Sequence, residues 1–326
     1  MNFFCLVFLT SLGLLSLLRH LIIPLFTYLF ATTFLATKPA DLKTRYGPWA
    51  LVTGPTDGIG LAFAVQLARQ GLNLVLVGRN PTKLKGASAR ISSEVASNDV
   101  EIKTLVVDFA TDEQQDVERV VKDGVRGLEI GVLVNNVGIT YPGARYFHEV
   151  EEKVWMEIVR VNLEGMTMVT RAVLGGMVER RKGAVVNVGS GAGTVLPSHP
   201  LYAVYAATKA YVDQLSRSLH VEYKQMGIDV QCQVPLYVAT EMTRKVAMIQ
   251  KPSLFVPSPN AYAAAAVRRI GRQARCSPYW AHSVQCYLAR LVPECLLDAW
   301  RLSIGICRRE LDIVAPRLDV LNLSID

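Results

Sequence analysis

From residue 48 onward the chain alternates short, continuous apolar runs with longer stretches in which apolar residues recur at helical spacing. Trp49, Ala50, Leu51 and Val52 form the first run, which ends in the glycine-rich TGPTDGIG. Leu61, Ala62, Val65, Leu67 and Ala68 then mark a helix closed by Gly71. Runs at 72–77, 102–107, 132–135, 184–188 and 229–234 read as further strands, and 82–96, 113–125 and 152–180 as helices. Strands alternating this regularly with helices predict an α/β fold, one doubly wound parallel sheet with helices on both faces. The pattern builds one sheet, with no second globular unit and no internal repeat.

Before residue 48 the pattern is different. Between Phe3 and Phe34 the only acidic or basic side chains are Arg19 and His20. As a single helix this run would be about 48 Å long against a hydrocarbon core of about 30 Å. Residues 1–37 are therefore expected to be a hydrophobic membrane segment, with two arrangements open: residues 21–37 span, or residues 3–18 span with Arg19 and His20 at the end. A cleaved signal peptide is disfavoured by the length of the run and by its non-basic start. Residues 38–47 read as a polar linker and 48–326 as the folded domain. Lys38, Lys43 and Arg45 follow the apolar run and place that domain on the cytosolic side.

Composition adds little to this. Charged residues make up 19% of the chain, which fits a membrane segment diluting an ordinary domain. The six cysteines show no CxxC or metal-ligand spacing. No metal site is expected, and no nucleic-acid-binding pattern accompanies the net charge of +7.

Candidate chemistry lies where the predicted strands end. Gly54, Gly58 and Gly60 stand between a strand and a helix, the context in which a glycine turn lets the backbone approach a pyrophosphate at a helix N-terminus. With this loop the sheet reads as Rossmann-like. The second strand ends in Arg79, where an NAD-specific site carries a carboxylate, which favours NADP. Asp108 and Asn135 end later strands, and Asn162 lies inside the long helix. In YAVYAATK, Tyr205 and Lys209 are one helical turn apart, so a nearby ammonium is expected to lower the phenol pKa and make it a proton donor to a carbonyl. Tyr202 is two turns from Lys209, too far to share its charge.

TGPTDGIG, NNVG, Asn162, Ser190 and YAATK, in this order, resemble the short-chain dehydrogenase/reductase family over most of residues 48–240. RYGPWALVTGPTDGIG, YFHEV, YVDQLSRSLHVEYK and VQCQVPLYVATEMT are similar, more narrowly, to the 3-oxoacyl-CoA reductases of very-long-chain fatty-acid elongation and to 17-beta-hydroxysteroid dehydrogenases. The resemblance implies that Tyr205 is the general acid, Lys209 tunes it and holds the nicotinamide ribose, Ser190 bonds the carbonyl, and Asn162 holds a water in the proton path. It implies NADPH as cofactor, with Gly54, Thr56, Gly58, Ile59 and Gly60 at the pyrophosphate, Arg79 at the 2′-phosphate, Asp108 at the adenine, Asn135 at its ribose, and Thr240 at the carboxamide. A long acyl-CoA or another lipid ketone would be the substrate. The endoplasmic reticulum membrane would be the location, and other elongase subunits or a second copy the partners.

Val137, Leu236 and Glu241 depart from the family pattern, and they leave open a reductase-like partner without activity. The C-terminal LNLSID carries no dilysine, so retention would fall to the N-terminal segment. Residues 251–259, with three prolines, are expected to belong to a lid. Arg268, Arg269, Arg272 and Arg275 are candidates for coenzyme A phosphates or lipid head groups, and also for a plain basic face. Residues 279–307 read as an amphipathic, membrane-lying helix pair.

Overall fold

The computed structural model describes residues 10–16, 18–23, 26, 41–95, 100–111 and 114–322. Seven parallel strands form one sheet in the order β3-β2-β1-β4-β5-β6-β7. They are β1 Trp49–Thr53, β2 Asn73–Gly78, β3 Ile102–Val106, β4 Ile130–Asn135, β5 Gly183–Val188, β6 Ile228–Gln233 and β7 Arg275–Cys276. The chain starts at β1, builds outward to β3, then returns past β1 to β4. That reversal opens a crevice beyond the C-terminal ends of β1 and β4, where ligands of such sheets bind. The two-residue β7 is too short to leave a periodic signal, and sequence reading misses it.

Strand alternation divides the core. Ala50 and Val52 of β1, Leu74 and Leu76 of β2, and Val132 and Val134 of β4 face one way. They meet helices α2 (Gly58–Arg69), α3 (Pro81–Glu94) and α8 (Pro259–Val267). Trp49, Leu51, Val75, Val77 and Leu133 face the other way, onto α4 (Gln114–Gly124) and α5, which runs through Glu152–Val159, the π-helical turn Arg160–Gly165 and Met166–Arg180. Both faces are covered, which explains why these strands read as apolar runs and not as alternation.

Residues 42–46, expected within a linker, are instead helix α1 (Leu42–Tyr46), started by Asp41 accepting from the Thr44 amide at 3.1 Å. Leu42 and Tyr46 are buried. The Tyr46 hydroxyl donates to Asp229 at 2.6 Å, and Arg45 and Lys224 pair with the same carboxylate at 2.8 and 2.5 Å. These bonds fasten α1 to the start of β6. Most of the predicted membrane segment lies outside the described residues, and among those described no helix is long and apolar enough to cross a membrane.

Past β6, α7 (Glu241–Ala247) leads into α8, and α9 (Trp280–Ala289) and α10 (Glu294–Asn322) follow. α6 (Ala203–Tyr223) packs against β6 and carries the YxxxK pair on its first turns.

Candidate active site

The crevice floor is set by the β1–α2 turn. Gly54 and Gly58 adopt φ of +63° and +55°, a region that disfavours side chains. A Cβ on Gly60 would stand 2.1 Å from the Gly54 carbonyl, so α2 approaches the turn closely only because residue 60 is glycine. Thr53 Oγ1 accepts from the amides of Asn136 and Val137 at 3.0 and 3.1 Å, and Asn136 Nδ2 donates to the carbonyls of Thr53 and Gly54 at 3.1 Å each. These bonds tie the β4 loop to the glycine turn. Gly54, Thr56, Gly58 and Ile59 face the cavity, whereas Gly60 serves by packing. Thr240, N-cap of α7, leans over Gly58 from the opposite side, and its Cγ2 would lie 3.2 Å from a Cβ placed there.

A recess of about 310 Å³ continues this floor past Arg79, Lys83 and Asp108. Arg79 and Lys83 flank the start of α3, and no acidic residue occurs between Gly71 and Glu94. Asp108 Oδ1 accepts from the Ala110 amide at 3.0 Å while its residue lines the recess. A glycine-walled cleft at a helix N-terminus, ending in two basic side chains, fits a dinucleotide with an added phosphate.

Asn135 is a correction. Its side chain points into the interior, where Nδ2 donates to Thr170 Oγ1 at 2.9 Å and to Asn187 Oδ1 at 2.8 Å, bracing β4 against β5 and α5. Asn136, one residue on, lines the cavity instead. The signal that separates them is register: Asn135 is still in β4, paired with Asn187, and its side chain follows the strand alternation.

Ser190, Tyr205 and Lys209 line one cavity of about 490 Å³. Ser190 caps the helical turn Gly191–Thr194, its Oγ accepting from the Ala192 amide at 3.2 Å. That turn packs tightly on α6, because Gly193 leaves no room for a Cβ, which would lie 2.4 Å from the Ala210 nitrogen. Lys209 is buried, donates to the Val188 carbonyl at 2.9 Å, and has its Nζ 6.0 Å from the Tyr205 ring centroid. Burial pulls its pKa down to about 8. Tyr205 departs from expectation. Burial raises its pKa, and a hydrogen-bonding contact with Ser190 only partly offsets this. The ammonium is turned to Val188, so the phenol holds its proton firmly at neutral pH. Tyr202 packs its ring on Tyr141, centroids 5.6 Å apart.

Asn162 sits in the π-helical turn of α5. Its Oδ1 accepts from the Ile139 amide at 2.8 Å, and its Nδ2 donates to the Ile139 carbonyl at 2.9 Å and to Thr208 Oγ1 at 3.1 Å. Both side-chain protons are thereby engaged, so the side chain positions the β4 loop against α6. A π turn interrupts the regular helical ladder and often marks functional positions.

The outer wall comes from the C-terminal third, where sequence reasoning is least informative. α7 contributes Met242 and Val246, and α10 lies across the mouth with Leu297, Trp300 and Arg301. Residues 251–259, expected to form the lid, line none of the cavity, and neither do Arg268, Arg269, Arg272 and Arg275. Gly271 abuts the Tyr46 hydroxyl and Asp229 at the N-terminal edge of the sheet, and Arg275 pairs with Asp213 at 3.0 Å. Leu236 and Glu241, two departures from the family pattern, also line the cavity, and Glu241 is held by Arg244 at 2.5 Å.

Sequence reading also misses His199, Tyr237 and His282. Arg301 donates to His199 Nε2 at 2.8 Å, and Arg308 donates to the Tyr237 hydroxyl at 3.1 Å. Burial and the two guanidinium groups pull the His199 pKa down to about 3. His282, fully buried, bonds the Leu236 amide at 3.3 Å and the Tyr237 carbonyl at 3.1 Å, and burial pulls it down to about 4. Both folded values lie below the ordinary histidine value of about 6.5, so the unfolded chain binds more protons in between. Their contribution is complete above about pH 6.5 and is lost as pH falls. For His282 the expected loss is about 2 kcal/mol by pH 5. Denaturant midpoints at pH 7.5 and pH 5 test this: the fall should shrink in His282→Gln, and an unchanged fall would contradict it.

The short chain dehydrogenase family profile matches residues 48–250. The chain belongs to that family. It is 58% identical over 304 residues to an Arabidopsis thaliana very-long-chain 3-oxoacyl-CoA reductase-like protein, covering 93% of this chain and 95% of the relative. The Rattus norvegicus very-long-chain 3-oxoacyl-CoA reductase is 43% identical, covering 78% of each chain. A Homo sapiens protein named inactive hydroxysteroid dehydrogenase-like protein 1 is 40% identical, covering 83% of this chain and 79% of its own. Among solved structures, a Sphingobium yanoikuyae short-chain dehydrogenase in complex with NADPH superposes with a TM-score of 0.60 at 29% identity, covering 68% of this chain and 84% of that one. As a member of this family the protein is an oxidoreductase acting between an alcohol and a carbonyl.

Proposed function

We propose that this oxidoreductase uses NADPH to reduce a long-chain 3-oxoacyl-CoA to the 3-hydroxyacyl-CoA in very-long-chain fatty-acid elongation. The observation that carries the reading is the placement of Ser190, Tyr205 and Lys209 in one cavity that joins the glycine-walled cleft to an outer wall of apolar side chains. NADPH, when bound, would supply the hydride. Gly54, Thr56, Gly58 and Ile59 would hold its pyrophosphate, Arg79 and Lys83 its 2′-phosphate, Asp108 the adenine end, and Thr240 the nicotinamide end.

The ketone oxygen would accept hydrogen bonds from Ser190 and Tyr205. A phenol that keeps its proton suits reduction, because the acid must be protonated before charge develops on that oxygen. Lys209 would steady the cofactor ribose and help return a proton to Tyr205, while Asn162 holds the β4 loop to α6.

The rim of the cavity supports a lipid substrate. Leu288 on α9, Leu291 in the turn that follows, and Leu296 and Trp300 on α10 are each about half exposed, with Trp300 at 53%. An apolar rim beside the cavity would rest on the bilayer to which residues 1–37 are proposed to anchor the chain, at the endoplasmic reticulum with the domain in the cytosol.

Two comparisons test the proposal. Turnover of a long 3-oxoacyl-CoA should exceed that of a 17-ketosteroid, and activity confined to the steroid would sink the substrate assignment. Arg79→Ala should lower kcat/KM with NADPH about 10- to 100-fold, the scale of a lost charge-assisted contact, and leave NADH activity nearly unchanged. A wild-type enzyme indifferent to the two cofactors would contradict the role of Arg79.

A further inference from the structure

Arg301 lines the catalytic cavity although its residue is only 4% exposed. Such a cation is normally matched by a carboxylate, because desolvating a charge without a partner is costly. Here the match is absent among the described residues. Arg301 meets two neutral groups instead, His199 and the Tyr237 hydroxyl, and since a guanidinium can only donate, the imidazole accepts at Nε2 and is neutral. The Arg301 Nε has no hydrogen-bond partner.

The nearby acids are engaged elsewhere. Asp298, on the same helix, accepts from Ser198 Oγ, and Glu149 pairs with Arg309. Glu241, across the cavity, is held by Arg244 and Lys245 at 2.5 and 3.6 Å. Arg308 adds a second cation to the same wall through the Tyr237 hydroxyl. The outer wall of the cavity therefore carries, among apolar side chains such as Leu297 and Trp300, a buried guanidinium with no carboxylate partner among the described residues.

We propose that Arg301 is a specificity-determining residue that donates to a substrate oxygen other than the reacting ketone, so that the enzyme favours acyl thioesters over ketones set in plain hydrocarbon. The inference rests on the proposed function and deepens it. Two oxygens share the required chemistry, the thioester carbonyl and a phosphate oxygen of the carrier. A steroid-like or simple alkyl ketone offers neither.

The test compares wild type with Arg301→Met on three ketones of matched chain length: a 3-oxoacyl-CoA, the corresponding N-acetylcysteamine thioester, and a ketone with no second oxygen. The expected result is a fall of about 10- to 100-fold in kcat/KM for the coenzyme A ester and a change within about 3-fold for the simple ketone. A fall with both thioesters assigns the carbonyl, and a fall with the coenzyme A ester alone assigns the phosphate. Equal falls on all three substrates, or none, overturn the inference. Circular dichroism and NADPH binding report whether the variant folds.

Wild-type enzyme that reduces the simple ketone but neither thioester would refute the proposed function itself. Wild-type turnover of thioesters with an indifferent Arg301→Met would refute only this inference. A readout free of turnover is quenching of tryptophan fluorescence by dodecanoate and dodecanol. The carboxylate should bind more tightly than the alcohol, a preference lost in Arg301→Met, and equal binding in wild type overturns the inference.

Discussion

Replacing Tyr205 by phenylalanine is expected to lower kcat about 10³-fold while NADPH affinity changes little. The substitution removes one hydroxyl from a cavity wall and leaves α6, Lys209 and the glycine turn in place. Its effect follows from the direction in which the phenol is shifted: burial holds the proton on Tyr205, so in wild type the donor is protonated and ready at neutral pH. Phenylalanine has no proton to give, and Ser190 alone would offer the oxygen one neutral hydrogen bond. Stopped-flow or steady-state NADPH oxidation measures the loss, and fluorescence of bound NADPH measures the affinity. A variant that keeps a tenth of wild-type turnover would show that another group, with Tyr237 the obvious neighbour, carries the proton.

The second large effect is structural. Gly60→Ala should destabilise the protein by about 2–3 kcal/mol and abolish detectable cofactor binding. The added Cβ would lie 2.1 Å from the Gly54 carbonyl and 2.4 Å from Asn136 Nδ2, so it pushes on the turn and on the side chain that ties β4 to it. Gly86 provides an internal control. It lies within α3, where an added methyl would meet nothing within 4 Å, and Gly86→Ala should stabilise by about 0.5–1 kcal/mol. Urea denaturation of the pair reads both signs, and a neutral Gly60→Ala would mean that the turn has slack the packing does not indicate.

The parts of the molecule legible in the sequence are those in which neighbours along the chain are neighbours in space. The glycine turn, the apolar strands and the Tyr205–Lys209 spacing are local, and each appears where its pattern places it. The parts that were not legible depend on distant contacts. His199 and Arg301 are 102 residues apart, and nothing near either announces the other. α1 read as a linker because its two buried side chains, Leu42 and Tyr46, are too few to set a period, and its anchor, Asp229, lies 183 residues on. The Asn135 assignment failed by a single register step: one residue decides whether a polar side chain braces the core or faces the cleft. The direction of the Tyr205 shift depended on burial, which spacing alone does not report.

The central claim is most directly tested by incubating the detergent-solubilised full chain with NADPH and a long-chain 3-oxoacyl-CoA, and quantifying the 3-hydroxyacyl-CoA formed, beside its Tyr205→Phe form. The account predicts stoichiometric product and NADPH oxidation in wild type and essentially none in the variant. No product from wild-type protein that binds NADPH normally would contradict it.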